Sequence, residues 1–191
     1  MTAFLLALQF LTRVPVSINT TVSDKQLGLS VLYYPLIGLL IGAAMVLLAT
    51  GLAQVAISVQ AALLLTFWVI ITGGLHLDGL ADCADAWVGG FGNPQRSLEI
   101  MKDPASGPIA VLSLILLLLL KWTVLTELLA KSQLTGLLVA PMIGRCAILA
   151  LMLTTPYLRK KGLSTVLLQH LPLPPTKIIL LGCLLLAVFT V

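Results

Sequence analysis

Two consecutive stretches of this chain, Tyr34–Gln54 and Ala56–Leu75, run without a single charged residue. About 20 such residues are what a helix needs to cross the hydrocarbon core of a bilayer. Only 9% of the 191 residues are charged and 59% are hydrophobic, whereas a soluble domain carries about 25% charged residues. Mean hydropathy is +1.11. A chain of this kind cannot cover itself with a hydrated surface, which excludes a soluble enzyme, a disordered chain and a conventional DNA-binding domain. A membrane β-barrel would alternate apolar and polar residues, but here the apolar runs are continuous and Leu-rich. The sequence predicts an all-α, polytopic integral membrane protein of about 4–5 transmembrane helices, a single membrane domain over 1–191.

Met1–Pro15 holds an apolar run of about ten residues, too short to span. Its charge, Arg13, follows the run, and no small-residue cleavage site comes after it, so it reads as an interfacial or re-entrant helix and not as a signal peptide. Tyr34–Gln54 and Ala56–Leu75 are joined by a tight turn and form a helical hairpin. Further spans are expected at Ile109–Ala130 and Leu134–Thr155, with a marginal run at Ile178–Val191. Between them lie an acidic loop, 76–108, and a basic loop, 156–177. The N-terminal segment and these two loops fall on one side and hold eight Lys and Arg, against Lys131 alone on the other. The positive-inside rule puts them in the cytoplasm. The net charge of +4 therefore reports orientation, and nucleic acid is not expected as a partner. Cys83, Cys146 and Cys183 show no zinc spacing and read as reduced thiols.

Five of the seven acidic residues lie between 78 and 103. Asp78, Asp82 and Asp85 are spaced i, i+4, i+7, one face of a helix. Like charges on one stripe repel, more so beside a membrane, and a divalent cation compensates them best. Oxygen ligands suit Mg²⁺, Mn²⁺ or Ca²⁺. The alternative is a solvated loop between spans. Two features argue against it: Lys and Arg are sparse within 76–90, and Leu75, Leu77, Leu80 and Trp87 surround the carboxylates. His76 is a further candidate, but on a regular helix it points away from the Asp stripe, which suits a structural hydrogen bond equally.

A second polar group follows at Arg96, Glu99, Lys102 and Asp103, on a helix ended by Pro104 and Pro108. Arg96 and Lys102 suit phosphate, with an exposed ion-pair pattern as the alternative. Lys121 and Arg145 lie inside spans, where a central charge costs about 2.5–3.5 kcal/mol on insertion scales. They either point inward toward carboxylates and substrate phosphates or form a structural ion pair inside the bundle. Pro141 and Gly144 are expected to open the helix at Arg145.

Gly73-Gly-Leu-His-Leu-Asp-Gly-Leu-Ala-Asp-Cys-Ala-Asp85, followed by Arg96-x-x-Glu-x-Met-Lys-Asp103, resembles the cobalamin synthase family, the adenosylcobinamide-GDP ribazoletransferases. Gln9–Pro15, Tyr34–Gly42, Pro141-x-x-Gly-Arg145 and Tyr157-x-Arg-x-x-Gly-Leu163 fit in the same order. The resemblance implies a Mg²⁺-dependent enzyme of the bacterial inner membrane. It joins adenosylcobinamide-GDP to α-ribazole or its 5′-phosphate and releases GMP. It further implies Asp78, Asp82, Asp85, Glu99 and Asp103 as metal candidates, with Asp82 or Asp78 as the base. Arg96, Lys102, Arg145, Lys121 and His76 are then candidates for substrate and phosphate. A homo-oligomer, or a complex with other cobalamin-assembly enzymes, is a further expectation. Family members continue beyond the position of Val191, so a C-terminally truncated member is expected, active only if the remainder supplies no essential ligand or packing helix.

Two other readings compete. An inactive membrane subunit of the same family would keep the spans and lose the metal. A small transporter would place its acidic residues within spans and show matching repeats, whereas here five of the seven lie in one loop and no repeat is found. The expected topology has a direct check: a reporter fused near Lys160 should be active in the cytoplasm, and activity only outside it would overturn the orientation.

Overall fold

The computed structural model describes residues 1–157 and 162–190, and among these every regular element is helical. The helices are α1 Thr2–Leu11, α2 Asp24–Ser30, α3 Tyr34–Gly51, α4 Ile57–Thr72, α5 Leu75–Gly89, α6 Pro94–Ile100, α7 Pro108–Ala130, α8 Leu134–Thr154, α9 Leu163–Gln169 and α10 Leu173–Thr190. Arg159, Lys160 and Lys161, and with them the centre of the expected basic loop, lie outside the described residues. The rest of that segment is not all loop, since it holds α9 and the start of α10.

Three helices are long and apolar enough to cross a membrane: Asp24–Gly51, Pro108–Ala130 and Leu134–Thr154. The pair α4 and α5 makes a fourth only if it counts as one span broken by an 87° bend. Among the described residues three to four spans are thus found, the upper figure meeting the lower end of the expected 4–5, as a polytopic membrane protein requires. The expected span Ala56–Leu75 is cut short, since α4 stops at Thr72, and the last apolar run is a short helix, Leu173–Phe189. The first span begins at Asp24 instead of Tyr34. Ser23 and Gln26 cap α2 reciprocally, and a 3₁₀ turn at Val31–Tyr33 carries it into α3. On α7, Ile115, Leu116, Leu119 and Leu120 are 51–63% exposed. A contiguous leucine face of this kind suits lipid and not water.

The chain divides into two compact units, residues 1–54 with 128 onward, and residues 55–127. In the first, α3 packs on α8 more extensively than any other helix pair. Gly38 and Gly42 make the approach possible. A Cβ on Gly38 would lie 2.6 Å from the Cα of Met142 and 2.6 Å from the Pro141 carbonyl oxygen, and one on Gly42 would land on the Leu138 carbonyl. Small residues four apart are the usual device for close helix contact in lipid, where packing replaces the hydrophobic drive. The helix α10 adds Ala187 to a cluster of Val139, Met142 and Cys146.

In the second unit, Gly73 and Gly74 both adopt the left-handed region, at φ 65° and 70°. Two consecutive residues of that kind are open to glycine at little cost. They end α4 and turn the chain into α5, so the expected acidic loop is largely helix.

The α3–α8 contact has a direct test. Gly42→Ala should cost about 1–3 kcal/mol of overpacking and lower the thermal midpoint in detergent by several degrees. Gly51→Ala should leave it unchanged, because nothing lies within 4 Å of the added Cβ.

Candidate active site

The helix α5 carries Asp78, Asp82 and Asp85, so the stripe expected from their spacing forms. The three carboxylates then part company. Asp78 is exposed and Asp82 half-buried, and neither has a hydrogen-bond or ion-pair partner among the described residues. Asp85 is engaged: one oxygen accepts from the backbone N–H of Gly107, the other from that of Ala110 at 2.9 Å. It closes the start of α7, whose first-turn amides have no partner inside the helix.

The second motif sits on α6 and the turn after it. Asn93 caps the helix, its Oδ1 accepting from Gln95 N at 3.0 Å and Arg96 N at 3.3 Å, and Pro94 occupies the first helical position. Arg96 Nε donates to the Gly89 carbonyl at 2.9 Å, and Ser97 Oγ to the Ala86 carbonyl at 3.2 Å. Both satisfy carbonyls at the end of α5 and pin α6 there. The guanidinium keeps its terminal nitrogens for another partner. The helix ends at Ile100, earlier than Pro104 required, and Pro108 begins α7 instead of ending α6. Glu99 is therefore on the helix, while Lys102 and Asp103 follow it. All three are exposed. Asp103 Oδ1 accepts from Ala105 N at 3.0 Å, a local turn.

Lys121 Nζ lies 3.2 Å from His76 Nε2 and 4.3 Å from the centre of the Trp68 ring. The ammonium donates and an imidazole nitrogen can accept, so the two are placed for a hydrogen bond. An indole face and a lone pair together give the charge a setting within an apolar helix. His76 turns to Lys121, as its helical position required. Arg145 belongs to the other unit. Its Nη1 donates to the Pro141 carbonyl at 3.3 Å within an unbroken α8, so Pro141 and Gly144 do not open the helix.

Among the described residues no three His, Cys, Asp or Glu side chains converge as a metal cage. Mg²⁺ does not require one. It keeps waters and is commonly held by one or two carboxylates with substrate phosphates. Asp78 and Asp82, one helical turn apart and otherwise unengaged, fit that donor set.

Sequence reasoning found the carboxylates but missed the groups that place them. Asn93-Pro94 is a legible helix start. The engagement of Asp85 by Gly107 has no signal in spacing. If α6 depends on its cap, Asn93→Ala should cost about 1 kcal/mol, read as faster hydrogen exchange at the Ser97 and Met101 amides, with α5 exchange unchanged.

The model of the Cobalamin-5-phosphate synthase family matches residues 3–191. A relative from Pseudomonas fluorescens, an adenosylcobinamide-GDP ribazoletransferase, is 52% identical over 190 residues, covering 97% of this chain and 78% of its own length. The Stutzerimonas stutzeri relative of the same name is 50% identical over 190 residues, covering 97% and 78%. That of Pseudomonas syringae is 49% identical over 191 residues, covering 98% and 79%. No solved structure matches. Taken with the acidic helix and the charged segment that follows it, this places the chain in the Cobalamin-5-phosphate synthase family.

Proposed function

We infer that the chain carries out the reaction for which its relatives are named, transfer of a cobinamide phosphate from adenosylcobinamide-GDP to ribazole. The observation that carries this reading is about half identity, over 97% of the chain, to adenosylcobinamide-GDP ribazoletransferases. The acceptor is α-ribazole or its 5′-phosphate. Its hydroxyl oxygen forms a bond to the phosphorus on the cobinamide side, the P–O bond to the guanylate breaks, and GMP leaves with that electron pair. The hydroxyl proton passes to a carboxylate.

The chain's own residues divide the work. Asp78 and Asp82 would hold Mg²⁺, and Asp82, the more enclosed of the two, is the proton acceptor. When bound, Mg²⁺ neutralises pyrophosphate charge and makes phosphorus more electrophilic. Arg96 offers the terminal nitrogens left free by its bond to Gly89, and Lys102 offers an exposed ammonium. Both stabilise negative charge on the departing GMP. Asn93, Pro94 and Ser97 hold Arg96 in place through α6.

The setting is a bacterial inner membrane, with the acidic helix toward the cytoplasm. Nucleotide substrates are supplied there, and the balance of Lys and Arg between the two sides supports it.

Membranes containing the chain are assayed with cobinamide-GDP, α-ribazole and Mg²⁺, following cobalamin and GMP. Product should form, should vanish with EDTA, and should fall by about 10²-fold or more in Asp82→Asn. Undiminished turnover in EDTA, or wild-type rates from Asp82→Asn, would sink the metal-carboxylate reading. A folded wild-type chain without product would sink the activity.

A further inference from the structure

We propose that Asp85 is a positioning residue: its carboxylate is a clasp that closes the segment carrying Arg96, Glu99, Lys102 and Asp103 back onto the acidic helix. The proposal rests on the reading of Asp78, Asp82, Arg96 and Lys102 given above. Asp85 and Gly107 are 22 residues apart in sequence. Everything in the second motif lies between them. The segment leaves α5 at Gly89 and is pinned near its start by Arg96 to Gly89 and Ser97 to Ala86. Its far end is fixed to α5 by Asp85, which takes the Gly107 and Ala110 amides on separate oxygens.

Three features make this a clasp. Carboxylate-to-amide bonds are charge-assisted and stronger than neutral ones. The N-terminal end of α7 carries partial positive charge that favours a carboxylate. The fit is also tight from the other side: a Cβ on Gly107 would lie 2.9 Å from one Asp85 oxygen and 3.0 Å from the other. A side chain at 107 would push the carboxylate off its amides. Closing a loop of this length has an entropic cost, and without the clasp Lys102 and Asp103 would be tethered from the α6 side only. Asp85 thereby acts through Arg96 and Lys102, while Asp78 and Asp82 keep their oxygens for metal.

The test compares Asp85→Asn, Gly107→Ala and Asp82→Asn in membranes. Gly107→Ala disturbs the clasp without touching a carboxylate. Both clasp variants should lower kcat/KM for cobinamide-GDP about tenfold, with kcat carrying most of the loss. The Mg²⁺ concentration giving half-maximal rate should stay within about twofold of wild type for both. Limited proteolysis should cut both faster between residues 101 and 107. Asp82→Asn should leave the proteolysis unchanged. A large shift in Mg²⁺ requirement in Asp85→Asn but not in Gly107→Ala would make Asp85 a metal ligand and overturn the proposal. Unchanged proteolysis in both clasp variants would overturn it too. If the wild-type chain formed no cobalamin, the functional reading would fail, and the proteolysis comparison would still decide the clasp.

Discussion

In hydrocarbon a backbone amide or carbonyl has no water to bond, so each helix must find partners for its own ends. The rest of this structure depends on how that is done. Ser23 and Gln26 close the start of α2. Asn93 closes α6, Asp85 closes α7, and Arg96 and Ser97 take up carbonyls at the end of α5. Inside the apolar helices, Thr66, Thr126 and Thr154 fold their hydroxyls back onto the carbonyl four residues earlier, each at 2.8 Å. Polar side chains here serve the backbone first. Those left over, Asp78, Asp82, Glu99 and Lys102, are the ones free to meet a ligand.

That separation sharpens the chemistry. Three carboxylates in a row look equivalent on a helical wheel. Asp85 spends an oxygen each on Gly107 and Ala110 at the start of α7, which leaves Asp78 and Asp82 as the unengaged pair. A pair is what a magnesium ion shared with a pyrophosphate uses. Lys121, the lysine within α7, likewise lies against His76 and Trp68.

Much of this was legible in the residues. The spans over α7 and α8 end within a residue or two of their expected limits, because uninterrupted apolar length is a strong signal. The acidic helix followed from i, i+4, i+7 spacing. What could not be read depends on contacts between distant positions. Asp85 meets Gly107 through a chain reversal, and no local period encodes that. Gly38 and Gly42 stood in a recognisable motif, yet their contact with α8 needed the partner helix. The end of α6 was misplaced because Pro104 looked like its stop, whereas the helix closes at Ile100 and the chain turns through Asp103. Arg145 looked like a break in α8, but its bond to Pro141 leaves the helix intact.

The 87° bend at Gly73-Gly74 joins the acidic helix to an apolar rod of 16 residues. Such a rod is about 24 Å long, some way short of a hydrocarbon core of about 30 Å. A rod that short draws the bilayer thin around it or pulls its neighbour inward. The height at which Asp78 and Asp82 stand relative to the headgroups is then set by the lipid as much as by the protein. Acyl-chain length then bears on how deep the α5 carboxylates lie below the membrane surface.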